Sequence, residues 1–205
     1  VYDGQFSPTF GRRHGAPAGG IDHRRFVVFA TNHDHVGNTA RGHRMLADAE
    51  ADDPRHRLAA TAILLAPSPP LLFMGEEYGE TAPFPYFVDH GDPALLDAVR
   101  QGRAREFAGA VGAVEASGGV ADPADPATFV GAVLDPTLAE HEPHRSRLAM
   151  YAELLRLRRE LRVLTDPDAV RAAAFDGGGM TVVRASNGQR VSLTFNFSPD
   201  AVEGP

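Results

Sequence analysis

Cysteine is absent from the 205 residues, so the chain has neither a disulfide framework nor a thiolate zinc site. This suits a reducing cytoplasm, which is the location we expect. No apolar run approaches the roughly 20 residues that a membrane-spanning helix needs, so no membrane partner is expected. Dense blocks of basic residues are also missing and the net charge is −7. That balance argues against nucleic acid as a partner.

What is present is ordinary globular composition, with 43% hydrophobic and 23% charged residues. The length allows one large domain or two small ones. Residues 1–25 and 110–146 are rich in turn-forming residues without periodicity, and are predicted as loops. The chain begins without methionine, and its first residues resemble an internal segment of a longer protein.

The order of elements in the first half predicts an α/β fold. The apolar runs Phe26–Ala30 and Leu71–Gly75 are typical of strands buried on both faces. Residues 55–66 form a predicted helix that ends before Pro67, and residues 91–109 form a second predicted helix. Strands that alternate with helices in this way are expected to be parallel neighbours joined by a right-handed crossover.

The second half predicts a helix followed by antiparallel strands. Four apolar residues spaced four, three and four apart share one helix face: Met150, Leu154, Leu157 and Leu161. Residues 180–184 and 191–197 are predicted strands, and the second of them alternates apolar with polar residues. Asn187-Gly188 between the two strands is a strong hairpin signal. This pattern indicates the start of a small antiparallel β-domain.

A polar cluster, Asn32-His33-Asp34, follows the first predicted strand directly. A carboxylate beside an imidazole can stabilise a developing positive charge or take part in proton transfer. On a strand His33 and His35 would point the same way and could share a metal ion, although no third ligand stands at a suitable spacing. A turn in which Asn32 and Asp34 bond local backbone groups is a further alternative.

The second predicted strand also leads into acidic residues, Glu76 and Glu77, in a stretch that is dense in aromatic rings. Rings beside carboxylates are typical of sugar sites, because the ring packs on a pyranose face while the carboxylate accepts hydroxyl hydrogens. Phe73, inside the predicted strand, is expected to belong to the core. For the loop aromatics, including Phe84 and Tyr86, core packing and sugar binding stay open as alternatives.

Two segments carry a resemblance to a known family. "NHDHVGN" and "LLFMGEEYGETAPFPYFVDHGDPALLDAVRQGRAREF" resemble the seventh and eighth barrel strands of the α-amylase superfamily of glycoside hydrolases, and within it the trehalohydrolases. "DPADPATF", "LLRLRREL" and "FNFS" continue the similarity. The resemblance implies the last two βα units of a (β/α)8 TIM-type barrel over residues 1–115. A linker over 116–146 follows, and then a helix with an incomplete antiparallel β-domain over 147–205.

The resemblance also implies a site. Asp34 matches the carboxylate that stabilises the transition state, whereas the nucleophile and the general acid/base follow earlier barrel strands that this chain does not contain. Two side chains beside it and six on the rim after the eighth strand are expected to bind substrate: Asn32, His33, Glu76, Glu77, Phe84, Tyr86, Asp89 and His90.

The implied activity is retaining hydrolysis of the α-1,4 bond next to the terminal trehalose of maltooligosyl-trehalose. The chain by itself is expected to be inactive, and its partner would be an α-glucan. No organic cofactor or catalytic metal is implied, and the oligomeric state stays open. The alternatives are another α-glucan enzyme, of the branching or debranching type, and a carbohydrate-binding remnant without activity.

Overall fold

The computed structural model describes residues 3–44, 54–108, 119–176 and 178–198. The α-helices are His33–Gly37, Pro54–Leu64, Pro93–Phe107, Pro126–Val130 and His144–Glu160, and the short 3-10 helices are His23–Arg25, Pro136–Glu140 and Arg162–Leu164. The strands are β1 (Asp3–Ser7), β2 (Arg12–Gly15), β3 (Val170–Asp176), β4 (Gly179–Ser186) and β5 (Gln189–Asn196). Within these ranges no helix combines the length and the apolar character needed to cross a membrane.

Strands β3, β4 and β5 form an antiparallel sheet in sequence order. The predicted hairpin between β4 and β5 is found, with φ of 47° at Asn187 and 77° at Gly188. Both residues adopt the left-handed conformation that such a two-residue turn demands. Strand β3 was not predicted, because its run of three alanines gives no period-two pattern.

The predicted apolar stripe of the helix His144–Glu160 faces the main core. Leu154 is buried with Leu64 of the helix Pro54–Leu64, and Met150, Leu157 and Leu161 pack against them. Side chains of β5 cover the same cluster. The core therefore joins the helices Pro54–Leu64 and His144–Glu160 to the C-terminal sheet.

Arg158, on the helix His144–Glu160, binds the backbone at the C-terminal end of the helix Pro54–Leu64. Its guanidinium donates to the carbonyl oxygens of Leu64 (3.0 Å), Ala66 and Ser68 (2.8 Å). The last carbonyls of a helix have no partner within the helix, and here the Arg158 side chain bonds them. The helix Pro54–Leu64 ends close to the predicted boundary, three residues before Pro67.

The two strands predicted at Phe26–Ala30 and Leu71–Gly75 are not formed as regular strands. They meet in one parallel bridge, in which Val28 N donates to Pro69 O (3.0 Å) and Leu71 N donates to Val28 O (2.8 Å). The parallel direction agrees with the prediction. The ladder does not extend backwards because Pro69 and Pro70 have no N–H to donate.

The predicted loop over residues 1–25 is wrong in part, because β1 and β2 pair as an antiparallel hairpin. These strands show no apolar alternation, and of their residues Ser7 is buried, so the sequence carries no signal for them. Within the predicted linker two short helices occur, Pro126–Val130 and Pro136–Glu140. An aspartate that accepts from a backbone N–H caps each of them.

Candidate functional site

Asp34 lies at the start of a short helix rather than on a strand. Asn32 is the N-cap, and its Oδ1 accepts from His35 N at 3.0 Å. Successive residues of a helix are rotated by roughly 100°, so His33 and His35 point to nearly opposite sides. The shared metal ion considered for these two histidines on a strand does not fit this geometry. Across the described ranges, no three acidic or histidine side chains are grouped to hold a metal ion.

The carboxylate of Asp34 is open to the surface of this chain. Its side chain is 68% exposed, and His33 Nε2 lies 3.4 Å from Asp34 Oδ1. Because Asn32 makes the capping bond, Asp34 is not needed as an Asx cap. The carboxylate of Asp34 and the imidazole of His33 are therefore both accessible to a ligand.

Arg103, from the helix Pro93–Phe107, holds the turn that follows Asp34. Its Nη2 donates to Gly37 O (3.0 Å) and Thr39 O (3.2 Å), and its guanidinium lies 5.2 Å from the centroid of the Tyr86 ring. Arg103 is only 9% exposed. One buried cation thus places both the end of the Asp34 helix and a predicted sugar-binding ring.

Phe84 lies against the same turn. Phe84 N donates to Gly42 O at 2.7 Å, and the two backbones approach so closely that a Cβ at Gly42 would lie 1.9 Å from Pro85 N. The Phe84 ring packs edge-on against Phe73, with centroids 5.3 Å apart, and against Phe87. The half-buried Phe84 therefore belongs to an aromatic row that runs outward from buried Phe73.

Arg44 and Glu80 fix the loop after the second predicted strand. Arg44 donates to Met74 O and Ala82 O, both at 2.7 Å, and burial lowers the pKa of its guanidinium. Glu80 is 3% exposed and accepts from Tyr78 OH at 3.0 Å. Its carboxylate also accepts from the backbone N–H groups of Thr81, Ala82 and Asp135.

Glu76 is half-buried and turns inward. Its Oε2 accepts from Thr31 Oγ1 (3.2 Å) and from Phe73 N (3.0 Å), and its Oε1 accepts from Tyr151 OH (3.4 Å). Tyr151 OH also hydrogen-bonds His56 Nε2 at 2.9 Å. Burial raises the pKa of the Glu76 carboxyl, although these hydrogen bonds oppose the shift. A small cavity of ≈ 30 Å³ lies beside the group.

The remaining predicted site residues lie along the outside of the same loop. Glu77 is half-buried, and Tyr86, Asp89 and His90 are exposed. Sequence reasoning missed the buried groups that hold this region in place: Thr31, Arg44, His56, Arg103 and Tyr151. Their partners lie 30 or more residues away in the chain, so no local pattern could have revealed them.

The chain is similar to several proteins that share one name. No family model matches the chain. Proteins named malto-oligosyltrehalose trehalohydrolase do: that of Arthrobacter ramosus is 42% identical over 90% of this chain and 32% of its own length. That of Deinococcus radiodurans is 35% identical over 97% and 33%, and that of Saccharolobus solfataricus is 36% identical over 78% and 26%.

Among solved structures, one described as an alpha amylase from Salmonella typhimurium superposes with a TM-score of 0.82 and 36% identity. The match covers 100% of this chain and 34% of that chain. The chain thus spans about a third of the length of the relatives that it matches. The predicted resemblance is confirmed: over that third, the chain is a homologue of the malto-oligosyltrehalose trehalohydrolases.

Proposed function

We propose that the chain is part of a retaining glycoside hydrolase that cleaves the α-1,4 bond next to the terminal trehalose of maltooligosyl-trehalose and releases trehalose. The observation that carries the proposal is the exposed carboxylate of Asp34, which lies beside His33 and follows the parallel bridge at Val28 along the chain. The malto-oligosyltrehalose trehalohydrolases of Arthrobacter ramosus and Deinococcus radiodurans match 90% and 97% of the chain that carries Asp34.

In this proposal Asp34 stabilises the transition state. Glycoside hydrolysis passes through a cation-like sugar, so a fixed negative charge is worth most at that point. A retaining enzyme also needs a nucleophile and an acid/base whose carboxyl groups are roughly 5–5.5 Å apart. We assign both to the rest of the full-length enzyme, called the parent below, which corresponds to the part of its relatives that this chain does not span.

The barrel assignment belongs to the same proposal. Four large apolar residues around the parallel bridge are exposed in this chain: Phe26 (36%), Val27 (57%), Leu71 (39%) and Met74 (45%). Apolar side chains beside a parallel pair are normally covered on both faces of the sheet. Further barrel strands would cover them, which supports the assignment of residues 1–115 to the end of a (β/α)8 barrel.

Substrate contacts of the rim residues form the finer part of the proposal. The predicted rim residues have half-buried or exposed side chains, which sugar hydroxyls or pyranose faces can reach. These are His33, Glu77, Phe84, Tyr86, Asp89 and His90. Asn32 and Glu76 are half-buried as well, but their side-chain oxygens accept hydrogen bonds from within the chain. Phe84 and Tyr86 are the best supported, because the Asp34 turn contacts the segment that carries them.

The test uses the full-length parent protein and purified maltooligosyl-trehalose. Trehalose release is expected, and proton NMR of the newly formed reducing end should show the α-anomer first, as retention requires. The 205-residue chain assayed beside it should release no trehalose above the blank. A parent that instead acts only on α-1,6-branched glucan would reassign the substrate. If the 205-residue chain turns over substrate and Asp34→Asn abolishes that turnover, the assignment of the nucleophile and the acid/base to the rest of the parent is contradicted.

A further inference from the structure

We propose that Glu76 is a positioning residue, which fixes the segment carrying Asp34 and does not act mainly by binding sugar. The inference rests on the proposed function and adds a residue to its machinery. It starts from one carboxylate whose two oxygens are engaged by groups on three different parts of the chain.

The first oxygen joins the two segments of the parallel bridge. Oε2 of Glu76 accepts from the hydroxyl of Thr31, which directly precedes the capping residue Asn32, and from the backbone N–H of Phe73. In a regular sheet the ladder would hold these segments in register, but between the described residues 26–34 and 69–76 the strand pairing is limited to the bridge at Val28. A side chain therefore supplies a connection that the backbone ladder lacks, at the residue before the helix that carries Asp34.

The second oxygen links this connection to the core. Oε1 accepts from Tyr151 OH, and Tyr151 is 2% exposed on the helix His144–Glu160. Tyr151 also hydrogen-bonds His56 of the helix Pro54–Leu64, which is 4% exposed. Both helices belong to the apolar core, so Glu76 connects the Asp34 segment to that core.

Catalysis would depend on this connection through the position of Asp34. An electrostatic partner of the transition state must be held in place before the reaction, and a displacement of about 1 Å can cost up to a hundredfold in rate. Loosening Thr31 would therefore lower kcat and leave KM nearly unchanged. A glutamate that bound sugar in both the ground and the transition state would raise KM instead.

The experiment compares variants of the full-length parent enzyme on maltooligosyl-trehalose. Glu76→Ala is expected to lower kcat about ten- to a hundredfold with KM changed less than about threefold. Glu76→Gln keeps the shape and an acceptor oxygen, and should recover most of that loss. Thr31→Val removes only the hydroxyl and should lower kcat several-fold. Glu153→Ala, which removes a surface glutamate, serves as the matched control for an alanine substitution.

A double-mutant cycle gives the sharpest readout. If Thr31 acts through Glu76, the variant carrying both Thr31→Val and Glu76→Ala should lose no more kcat than Glu76→Ala alone. Additive losses would overturn the proposal, as would a raised KM with unchanged kcat in Glu76→Ala. Should Glu76→Ala fail to fold, Thr31→Val decides, because wild-type kcat in that variant overturns the proposal.

The Asp34→Asn variant, measured in parallel, distinguishes failure of the proposed function from failure of the positioning role of Glu76. If Asp34→Asn is inactive while Glu76→Ala and Thr31→Val match the Glu153→Ala control, the positioning role falls and the proposed function stands. Normal turnover of the Asp34→Asn enzyme would contradict both the proposed role of Asp34 and the positioning role of Glu76.

Discussion

Two regions of the chain are held together in different ways. The core region comprises the helices Pro54–Leu64 and His144–Glu160 with the sheet β3–β5, and it packs through a leucine-rich cluster. The rim region comprises residues 26–44 and 71–90, and it contains one short helix and one bridge. Several of its backbone groups are bonded by side chains from distant parts of the chain or from the same loop, among them Arg44, Arg103 and Glu76.

The difference shows what a candidate site needs from its scaffold. Helices and sheets satisfy their own backbone groups, whereas irregular segments need other donors and acceptors when they are buried. A guanidinium suits this task because it offers five N–H groups in a rigid plane. The rim can thus present Asp34 on one short helix with little other regular structure, but its position then depends on a few side chains.

The largest expected effect comes from the core region. Leu64 is fully buried at 0% exposure, so Leu64→Ala should destabilise the parent protein by about 2–5 kcal/mol through the lost burial and the cavity. Urea unfolding of the parent measures the change. Leu148→Ala, on the helix His144–Glu160 but 38% exposed, is the matched control. An equal shift in both variants would contradict the assignment of the core.

Removal of a buried cation from the rim region should have an intermediate effect. Arg103→Ala leaves the carbonyl oxygens of Gly37 and Thr39 without this donor, at about 1–3 kcal/mol for buried unsatisfied groups. Hydrogen exchange is expected to speed up in residues 33–40 and to stay unchanged in β4 and β5. Arg105→Ala on the exposed side of the same helix is the control. Uniform acceleration across the chain would show that the two regions are not independent.

The smallest expected effect is a pH dependence of stability at Glu76. Burial raises the pKa of its carboxyl above the unfolded value, so its stabilising contribution is complete below the unfolded pKa and is lost as pH rises through the folded pKa. Glu76→Gln resembles the protonated acid and does not lose this contribution. The Tm of the variant minus that of wild type should therefore grow between pH 4 and pH 7. A constant difference would contradict the raised pKa.

Local sequence patterns revealed most of the core region. Asn187-Gly188 predicted the β4–β5 hairpin because a turn of this kind admits few other residues. The spacing of Met150, Leu154, Leu157 and Leu161 predicted the buried helix face. In both cases neighbouring residues along the chain carry the whole signal.

The rim region was harder to predict because its structure depends on distant partners. The apolar runs around Val28 and Leu71 indicated strands correctly in direction but not in extent, since two prolines and uncovered faces limit the ladder. Nothing near Arg103 distinguishes it from the other arginines of its helix. Asp34 and its neighbours were found through a short motif and a resemblance, and their roles in binding and catalysis stay predictions.

Turnover of the Asp34→Asn variant of the full-length parent tests the central claim most directly. The substitution keeps shape and hydrogen-bonding capacity but removes the charge, so kcat should fall roughly a hundred- to a thousandfold, equivalent to about 3–4 kcal/mol, with a smaller change in KM. Circular dichroism confirms folding of the variant. A folded Asp34→Asn enzyme within about threefold of wild-type kcat would show that Asp34 does not stabilise the transition state.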